Sequence, residues 1–421
     1  MKIAFISYEY PPDTADGGIA TYVHQASRML AQRGHQVEVF CGSRVRTETA
    51  HQDGVLVHRL EVHDFKKFAE PVGKAFADRH REVGFDVLEG PDFGADAREA
   101  VRLVPNIPLV LKLHTPSRLL LQLNYRYDQA AWWKKAYFYL ASALKRIKPA
   151  WGYAPEGAAY RRQVVKVDEY EHAHALQADE VASPSRALGK WLIDEWGLEA
   201  ARVNLVPYPY VPSEKFLKIP AETQTNRVTF IGRLETRKGI LDLAQAIPEV
   251  LKQVPAAQFR LVGASEPSPD PRLDMREYLE QQLKPYLGSI EFTGAISPEH
   301  IPDILESTDI CIFPSLWENF PCVCLEAMSA ARGIVGTDAG GMADMLTAPS
   351  NVGHLIKPHS PKEIATALID LLQDPDKRIR LGQAARERLL SEYDAERIAV
   401  IQEESYLRAI EQRQAQGSRS F

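Results

Sequence analysis

The stretch KIAFISYEYPPDTADGGIATYVHQASRMLAQRGHQVEVFCG, residues 2–42, has the pattern of one strand–helix–strand unit. Short apolar runs open and close it. Between them, apolar residues recur every three or four positions, at Ile19, Tyr22, Val23, Ala26, Met29 and Leu30. That spacing predicts an amphipathic helix, and Gly34 follows as a C-terminal stop signal. The stretch therefore predicts a parallel βαβ unit.

The same alternation continues through both halves of the chain. Further apolar runs are VLVHRL, DVLEG, PLVLKLHT and EVASPS, then VTFIGRL, FRLVGAS, SIEFTG, DICIFPS and RGIVGTD. The pattern predicts an α/β fold with two doubly wound parallel sheets. Residues 211–226, VPSEKFLKIPAETQTN, have no apolar period, so we place the domain boundary there. We predict domains at 1–212 and 213–412, the last helices packing back toward the first domain, and a disordered polar tail at 413–421.

Composition limits the class of protein. The chain has 421 residues, 45% of them hydrophobic and 25% charged, which is enough for two cores. Its net charge of −6 argues against a nucleic-acid partner. The four cysteines lack zinc-finger spacing, so we expect reduced thiols. The N-terminal apolar run is too short for a signal peptide and no window approaches a membrane span, so we expect a cytoplasmic protein.

Ligands of open parallel sheets bind beyond the carboxyl ends of the strands, so the residues after each run are the candidates. Gly17 and Gly18 directly precede the first helix. Glycines there let a ligand approach the backbone, and the helix N-terminus favours an anion such as phosphate. A tight turn is the alternative interpretation. The fingerprint G-x-G-x-x-G is missing here, which argues against a dinucleotide enzyme.

Two more strand ends carry basic or titratable residues. FIGRLETRKGI places Arg233 and Lys238 before a helix, and two cations there suit a diphosphate. A solvated basic loop is the alternative. LKLHTP places His114 between an apolar run and a proline. It either contacts a ligand or is a hydrogen-bonded structural histidine.

The stretch SLWENFPCVCLEAM, residues 315–328, carries two glutamates eight positions apart. Pro321 suits the first position of a helix. The helix would then bury Cys324, Ala327, Met328 and Ala331 and leave Glu326 at one edge. Ionised carboxylates accept hydrogen bonds from vicinal diols, which sugars and riboses present. Two surface glutamates are the alternative, and a weaker one for Glu318, which stands between Trp317 and Phe320.

The chain resembles the retaining glycosyltransferases of the GT-B fold, in particular glycosyltransferase family four. SLWENFPCVCLEAM has the E-x7-E pattern of that family, and YPPDTADGGIATYV, FIGRLETRKGI and GTDAGGMADM match its other landmarks in order. The resemblance covers nearly the whole chain. It implies two Rossmann-like domains facing each other across a cleft, with a nucleotide-sugar donor bound mainly by the C-terminal domain and the acceptor mainly by the N-terminal domain.

The resemblance also implies roles for the candidate residues. Glu318 would hold hydroxyls of the transferred sugar and Glu326 the ribose. Arg233 and Lys238 would bind the diphosphate, with help from Gly263 and from backbone N–H groups around Asn319, Phe320 and Cys322. The loop of Gly17 and Gly18 would close over the diphosphate, and His114 would sit near the reacting centre.

The implied function is transfer of a hexosyl group, from a UDP-sugar by preference, to a hydroxyl of a glycan, a lipid-linked acceptor or a small molecule, as in polysaccharide biosynthesis. We see no D-x-D signature, so Arg233 and Lys238 would replace a metal, and no cofactor is expected. Two features depart from the family: Pro321 stands where glycine is frequent, and VPYPYVP stands where Pro-Asn-Gly is frequent, which puts the contact near residue 208 in doubt.

Residues 118–162 form a basic-aromatic island, with nine Lys or Arg, two Asp or Glu and three Trp. Such a helical insertion could contact an anionic membrane at its inner face, wall a carbohydrate groove or pack as core. Two other functions stay open. One is a nucleotide-sugar epimerase on a similar scaffold, and the other is a non-catalytic nucleotide-sugar-binding partner of another transferase.

Overall fold

The computed structural model describes residues 1–14, 17–124, 158–270, 272–347 and 350–419, and for residues 121, 124 and 158–166 it describes the backbone alone. Two compact units are present. The first comprises Met1–Leu120, Val164–Val211 and Tyr393–Phe421, and the second comprises Leu121–Gln163 and Pro212–Glu392. Most of the basic-aromatic segment 118–162 lies outside the described residues. No helix in the described ranges is long and apolar enough to span a bilayer.

The first unit contains a sheet of eight described strands. They are β1 (Lys2–Ser7), β2 (Gln36–Ser43), β3 (Glu48–Gln52), β4 (Val55–Glu61), β5 (Val87–Pro91), β6 (Leu109–Lys112), β7 (Glu180–Ser183) and β8 (Val203–Leu205). Their order is β3-β4-β2-β1-β5-β6-β7-β8. The order reverses between β1 and β5, as the doubly wound prediction requires. The helices are α1 (Gly18–Gln32), α2 (Ala69–Val83), α3 (Arg98–Leu103), α4 (Ser117–Asn124), α5 (Ala158–Gln177) and α6 (Arg186–Trp196).

One strand of this sheet corrects the prediction of purely parallel pairing. β3 runs antiparallel to β4. The two are joined by Asp53 and Gly54, both at positive φ, 53° and 83°. An Asp-Gly pair of this kind makes the tight turn of a hairpin. The strand ETAHQ is mostly exposed and has no apolar run, so the hydrophobic pattern does not predict a strand there.

The second unit contains a sheet of six described strands, all parallel. They are β9 (Arg227–Ile231), β10 (Gln258–Val262), β11 (Ile290–Gly294), β12 (Ile310–Phe313), β13 (Gly333–Thr337) and β14 (His354–Ile356). The order β11-β10-β9-β12-β13-β14 reverses between β9 and β12. This is the doubly wound arrangement that the strand–helix alternation predicts.

Helices of the second unit cover this sheet. They are α7 (Glu214–Leu217), α8 (Ile240–Gln253), α9 (Met275–Gln282), α10 (Ile301–Glu306), α11 (Cys322–Ser329), α12 (Gly341–Thr347), α13 (Pro361–Gln373) and α14 (Pro375–Glu392). The apolar stripes of α8 and α13 share one core with the sheet, in which Phe230, Leu243, Phe259, Ile312 and Leu368 are buried. Burial of these side chains holds the strand ends in place.

The C-terminal segment corrects the prediction for 413–421. The last helix, α15 (Ala395–Gln416), belongs by its contacts to the first unit and continues four residues past the boundary predicted at 412. Arg413 and Arg419 both bind the buried carboxylate of Asp179, Arg413 at 2.5 Å. A buried carboxylate needs such partners. Residues 413–419 are therefore anchored to the sheet and do not form a disordered tail.

Candidate active site

The strand order of the second unit reverses between β9 and β12, which are direct neighbours. Because crossovers between parallel strands are right-handed, the connections that leave these two strands turn toward opposite faces of the sheet. A crevice opens at their carboxyl ends, where ligands of such sheets bind. The loop after β9 carries Arg233 and Lys238, and the loop after β12 carries Glu318. The sequence motifs therefore meet at one place in this unit.

Backbone contacts fasten the two loops to each other. The Leu316 N–H donates to the Arg237 carbonyl at 2.8 Å. Gly239 has φ +71°, and a Cβ atom there would lie 1.8 Å from the Pro314 carbonyl oxygen. Only glycine fits such a close approach at positive φ. The contact fixes the position of the Lys238 backbone relative to the loop that carries Glu318.

Lys238 and Glu318 form a nearly buried ion pair. The Lys238 Nζ donates to Glu318 Oε1 at 2.5 Å, and the Ser315 hydroxyl donates to the same oxygen at 2.7 Å. Glu318 is only 9% exposed. Burial acts to raise the pKa of Glu318, but the charges of Lys238 and Arg237 and the two hydrogen bonds outweigh it, and the pKa is lowered. Glu318 is therefore ionised at neutral pH and can only accept hydrogen bonds.

Arg233 lies in the same loop but has other partners. Its guanidinium is 3.1 Å from Glu235 Oε1 and 3.8 Å from Glu266 Oε1. Arg237 also binds Glu235 Oε1, at 2.8 Å. The Arg233 side chain is 55% exposed. The structure thus brings Lys238 to Glu318 and pairs Arg233 with two carboxylates that the sequence analysis did not single out.

Glu326 lies on α11, the helix that follows the β12 loop. Pro321 is the N-cap of this helix, with φ −74° and ψ 118°. The helix therefore begins at Cys322, one residue later than predicted. The buried residues of α11 include the predicted Cys324, Ala327 and Met328. Glu326 is half-buried, and burial raises the pKa of its carboxyl to about 7. Asn319 and Phe320 are buried just before the helix.

Two glycines allow neighbouring loops to approach this site. Gly340 has φ +71°, and a Cβ atom there would lie 1.9 Å from the Glu318 carbonyl oxygen, which accepts from the Gly341 N–H at 2.8 Å. Gly263 has φ +147°, and its Cβ would lie 1.9 Å from the Gly232 carbonyl oxygen. Gly263 thus allows the ends of β9 and β10 to pack closely together beside Arg233. A side chain at either position would displace a loop that carries a candidate residue.

In the first unit, Gly17 and Gly18 stand at the start of α1 as predicted. Gly17 is the N-cap and has extended backbone. The carboxylate of Glu9 faces this helix terminus, with Oε2 3.4 Å from the Ala20 nitrogen. A carboxylate is a favourable neighbour for the positive end of a helix. Glu9 was not predicted as a site residue, because no short sequence motif links a glutamate at a strand end to a helix that begins nine positions later.

His114 is buried at the carboxyl end of β6, with 7% exposure. Its backbone N–H donates to Asp92 Oδ1 at 2.7 Å, and its Nδ1 is 2.7 Å from the hydroxyl of Tyr208. Burial and the charge of Lys112 lower the pKa of His114 to about 3, so its imidazole is neutral. The Tyr208 hydroxyl also donates to the Leu113 carbonyl at 2.8 Å. Tyr208 belongs to the stretch VPYPYVP, which departs from the family pattern. In this chain its hydroxyl contacts His114.

Two family models match the chain on these two sheets. The model described as "Glycosyl transferase 4-like domain" matches residues 17–209, and "Glycosyl transferases group 1" matches residues 225–374. The chain belongs to the group 1 glycosyltransferases. Between them the matched ranges contain every candidate site residue named above except Glu9.

Known proteins of similar length resemble this glycosyltransferase. Glycogen synthase of Mycobacterium tuberculosis is 24% identical over 430 residues, which cover 97% of this chain and 95% of the relative. The structure of sucrose-phosphate synthase from Thermosynechococcus elongatus has a TM-score of 0.70 at 22% identity, covering 97% of this chain and 98% of the other. Anabaena HepE in complex with UDP has a TM-score of 0.66 at 17% identity, covering 96% and 99%. These likenesses show that the glycosyltransferase has the GT-B fold.

Proposed function

We propose that this glycosyltransferase moves a hexosyl group from a nucleotide-diphosphate sugar, with a UDP-sugar favoured, to a hydroxyl of a glycan, a glycolipid or a small molecule. We propose further that it retains the anomeric configuration and needs no metal. The observation that carries the proposal is the Lys238–Glu318 pair at the point where the strand order reverses. In this pair a cation suited to a diphosphate lies beside an ionised carboxylate suited to sugar hydroxyls. Glycogen synthase, sucrose-phosphate synthase and the UDP complex of HepE support the donor class by their names.

Glu318 is suited to hold a sugar because one of its oxygens stays available. The hydrogen bonds that it accepts from described side chains, those of Lys238 and Ser315, both end on Oε1. Oε2 can therefore accept from hydroxyls of the transferred sugar without breaking the ion pair. The Lys238 ammonium has two further N–H donors for the diphosphate. In this proposal the residue pair stays intact when the donor binds.

Arg233 would exchange its present partners for the diphosphate. In its ion pairs with Glu235 and Glu266 the Arg233 side chain is 55% exposed, while the carboxylates are 17% and 33% exposed, and ion pairs open to solvent contribute only about 0–1 kcal/mol. Two phosphate oxygens can bind a guanidinium bidentately, which is a stronger interaction. In this proposal the exchange brings the Arg233 charge to the leaving group, and Glu235 keeps its contact with Arg237.

The chemical step then follows from charge. The bond between the anomeric carbon and the diphosphate oxygen breaks, and the electron pair leaves with the nucleoside diphosphate. The acceptor oxygen bonds to the anomeric carbon on the same face, and its proton goes to the departing phosphate oxygen. Arg233, Lys238 and the N–H groups at the start of α11 would stabilise the negative charge that develops there. Glu326 would accept from the ribose hydroxyls.

Slow hydrolysis of the donor tests this function without knowledge of the acceptor. The protein is incubated with UDP-, GDP- and ADP-glucose in the presence of EDTA, and released nucleoside diphosphate is measured. We expect release from at least one donor, fastest from the UDP-sugar. An epimerase would instead convert the nucleotide sugar into an isomer without release. Absence of release from every donor, for the wild-type protein with or without added divalent cation, contradicts the proposal.

A further inference from the structure

Three aromatic rings form one buried cluster in the first unit. The ring centroid of His114 lies 5.4 Å from that of Tyr22 and 5.4 Å from that of Tyr208, and the two tyrosine rings lie 4.8 Å apart. Tyr22 belongs to α1, His114 follows β6 and Tyr208 follows β8, and all three are buried. Among them, only His114 was assigned a role from the sequence, near the reacting centre. The two tyrosines therefore surround a candidate site residue without a role of their own.

The hydroxyl of Tyr208 has a single proton and two close neighbours. Its oxygen lies 2.8 Å from the Leu113 carbonyl oxygen and 2.7 Å from Nδ1 of His114. A carbonyl oxygen can only accept a hydrogen bond, so the hydroxyl proton is donated to Leu113. The hydroxyl oxygen then accepts from Nδ1, which must carry a proton. In a neutral imidazole only one ring nitrogen is protonated, so Nε2 has a lone pair and can only accept.

The surroundings of His114 keep the imidazole neutral. Burial is the main cause, the charge of Lys112 adds to it, and together they lower the pKa of His114 to about 3. The carboxylate of Asp92 binds the backbone of His114, with Oδ1 accepting from the N–H at 2.7 Å. The ring therefore holds one proton at neutral pH, and the contact with Tyr208 determines which nitrogen carries it.

Lys112 and Glu89 hold the two tyrosine rings in place. The Lys112 ammonium lies 4.8 Å from the centroid of the Tyr22 ring and 5.3 Å from that of Tyr208. A cation over the face of an aromatic ring is attracted to it. Lys112 also donates to the Val206 carbonyl at 2.5 Å, and the Tyr22 hydroxyl donates to Glu89 Oε1 at 2.7 Å. The Tyr208 ring packs against both restrained groups, so its hydroxyl is held where it contacts Nδ1.

We propose that Tyr208 is a positioning residue that fixes the His114 imidazole as the tautomer with its proton on Nδ1. Nε2 then accepts a hydrogen bond from a hydroxyl at the reacting centre, and it has no proton to donate to the leaving group. The departing phosphate oxygen takes its proton from the acceptor hydroxyl, as in the step described above. The use of this imidazole in transfer rests on the proposed function, whereas the tautomer itself does not.

Nitrogen NMR of protein labelled with isotopic histidine tests the tautomer directly, because protonated and unprotonated ring nitrogens resonate in separate regions. The His114 signals are assigned by their absence from His114→Gln, and the spectra are recorded at neutral pH. We expect the proton on Nδ1 in the wild type. Tyr208→Phe keeps the ring and removes the hydroxyl, so we expect the proton to populate Nε2 in this variant.

Donor hydrolysis tests whether the tautomer matters for the reaction. With the donor that the wild type cleaves fastest, kcat of Tyr208→Phe should fall by about tenfold, as for loss of one hydrogen bond, and KM should change by less than about twofold. Tyr8→Phe is the matched control, because the Tyr8 hydroxyl also donates to a backbone carbonyl of this unit, that of Val62, at 3.0 Å. The control should keep the His114 tautomer and a kcat within about twofold of wild type.

The two measurements separate this proposal from the proposed function. A proton on Nε2 in the wild type, or the same tautomer in wild type and Tyr208→Phe, overturns the proposal. An unchanged kcat in Tyr208→Phe overturns the positioning role. If the wild type hydrolyses no donor, the proposed function fails, and the NMR spectra still decide the tautomer. If Tyr208→Phe does not fold, the wild-type spectrum alone decides it.

Discussion

The Nζ atom of Lys238 lies 2.5 Å from Oε1 of Glu318, although the two residues are 80 positions apart in the sequence. The contact joins the loop after β9 to the loop after β12. Both side chains are nearly buried, so the opposite charge of each offsets the desolvation cost of the other. A donor site built on this pair would therefore be largely formed before the ligand arrives.

The pair should show thermodynamic coupling. Because Lys238 lowers the pKa of Glu318, the carboxylate contributes stability above its unfolded pKa of about 4.5, and this is lost as pH falls through the lower folded value. Urea unfolding of wild type, Lys238→Gln, Glu318→Gln and the double variant at neutral pH should give a coupling of about 1–3 kcal/mol. The coupling should shrink at an acid pH well below the ordinary glutamate pKa of 4.5, where the carboxylate is protonated in the folded state too. Coupling near zero at neutral pH, or equal at both pH values, would show that the ion pair is not formed in solution.

Arg233→Ala should lower kcat by roughly 10²–10³, as for loss of one donor to a developing oxyanion. The physical reason is that the departing diphosphate loses one of its two cations. Donor turnover is measured at saturating nucleotide sugar. The matched control is Arg276→Ala, because Arg276 lies on α9, half exposed and paired with Glu280. A variant of Arg233 with near wild-type turnover would remove this residue from the mechanism.

Donor affinity should depend on the protonation of Glu326. Burial raises the pKa of its carboxyl to about 7, and only the ionised form accepts from both ribose hydroxyls. The affinity for UDP-glucose, whose diphosphate has no proton to lose near neutrality, should therefore rise by up to about tenfold between roughly pH 6 and pH 8. Glu326→Gln should bind more weakly at the higher pH and show little slope. A wild-type affinity independent of pH would contradict the ribose role.

Gly340→Ala should damage both stability and donor binding. Its Cβ would lie 1.9 Å from the Glu318 carbonyl oxygen, at φ +71°. We expect a loss of about 2 kcal/mol or more, seen as a drop of roughly 4–8 °C in Tm, together with weaker UDP-glucose binding. Gly288→Ala is the control, because Gly288 is exposed and nothing lies within 4 Å of its Cβ position. Equal Tm values for the two variants would show that the Gly340 loop does not restrain Glu318.

Local patterns were sufficient to predict the α/β fold and the loops that carry Arg233, Lys238 and Glu318. Apolar runs indicate the central strands, and ligands of a parallel sheet bind beyond the carboxyl ends of its strands. A motif that directly follows such a run is therefore predicted to lie at the ligand site. The edge strands β3, β8 and β14 were missed because they are short and lack a continuous apolar run. Short strands at a sheet edge form through pairing with a neighbour, which a single segment does not reveal.

Long-range partners account for the rest of what the sequence could not predict. The ion pair of Arg413 with Asp179 spans 234 positions, and the contact between Tyr208 and His114 spans 94. Such pairs leave no periodic signal, because they depend on which strands become neighbours. For the same reason the motif FIGRLETRKGI predicted the cation of Arg233 but not its pairing with Glu266.

Calorimetric titration with a nucleotide sugar tests the central claim most directly. UDP-, GDP- and ADP-glucose are titrated into the chelator-treated wild-type protein and into Lys238→Ala. We predict that at least one donor binds to the wild type in EDTA, and that Lys238→Ala weakens that donor by roughly tenfold or more, as for loss of a charge-assisted hydrogen bond. Failure of every donor to bind, or binding that EDTA abolishes, would contradict a diphosphate site whose charge is balanced by Lys238 and Arg233.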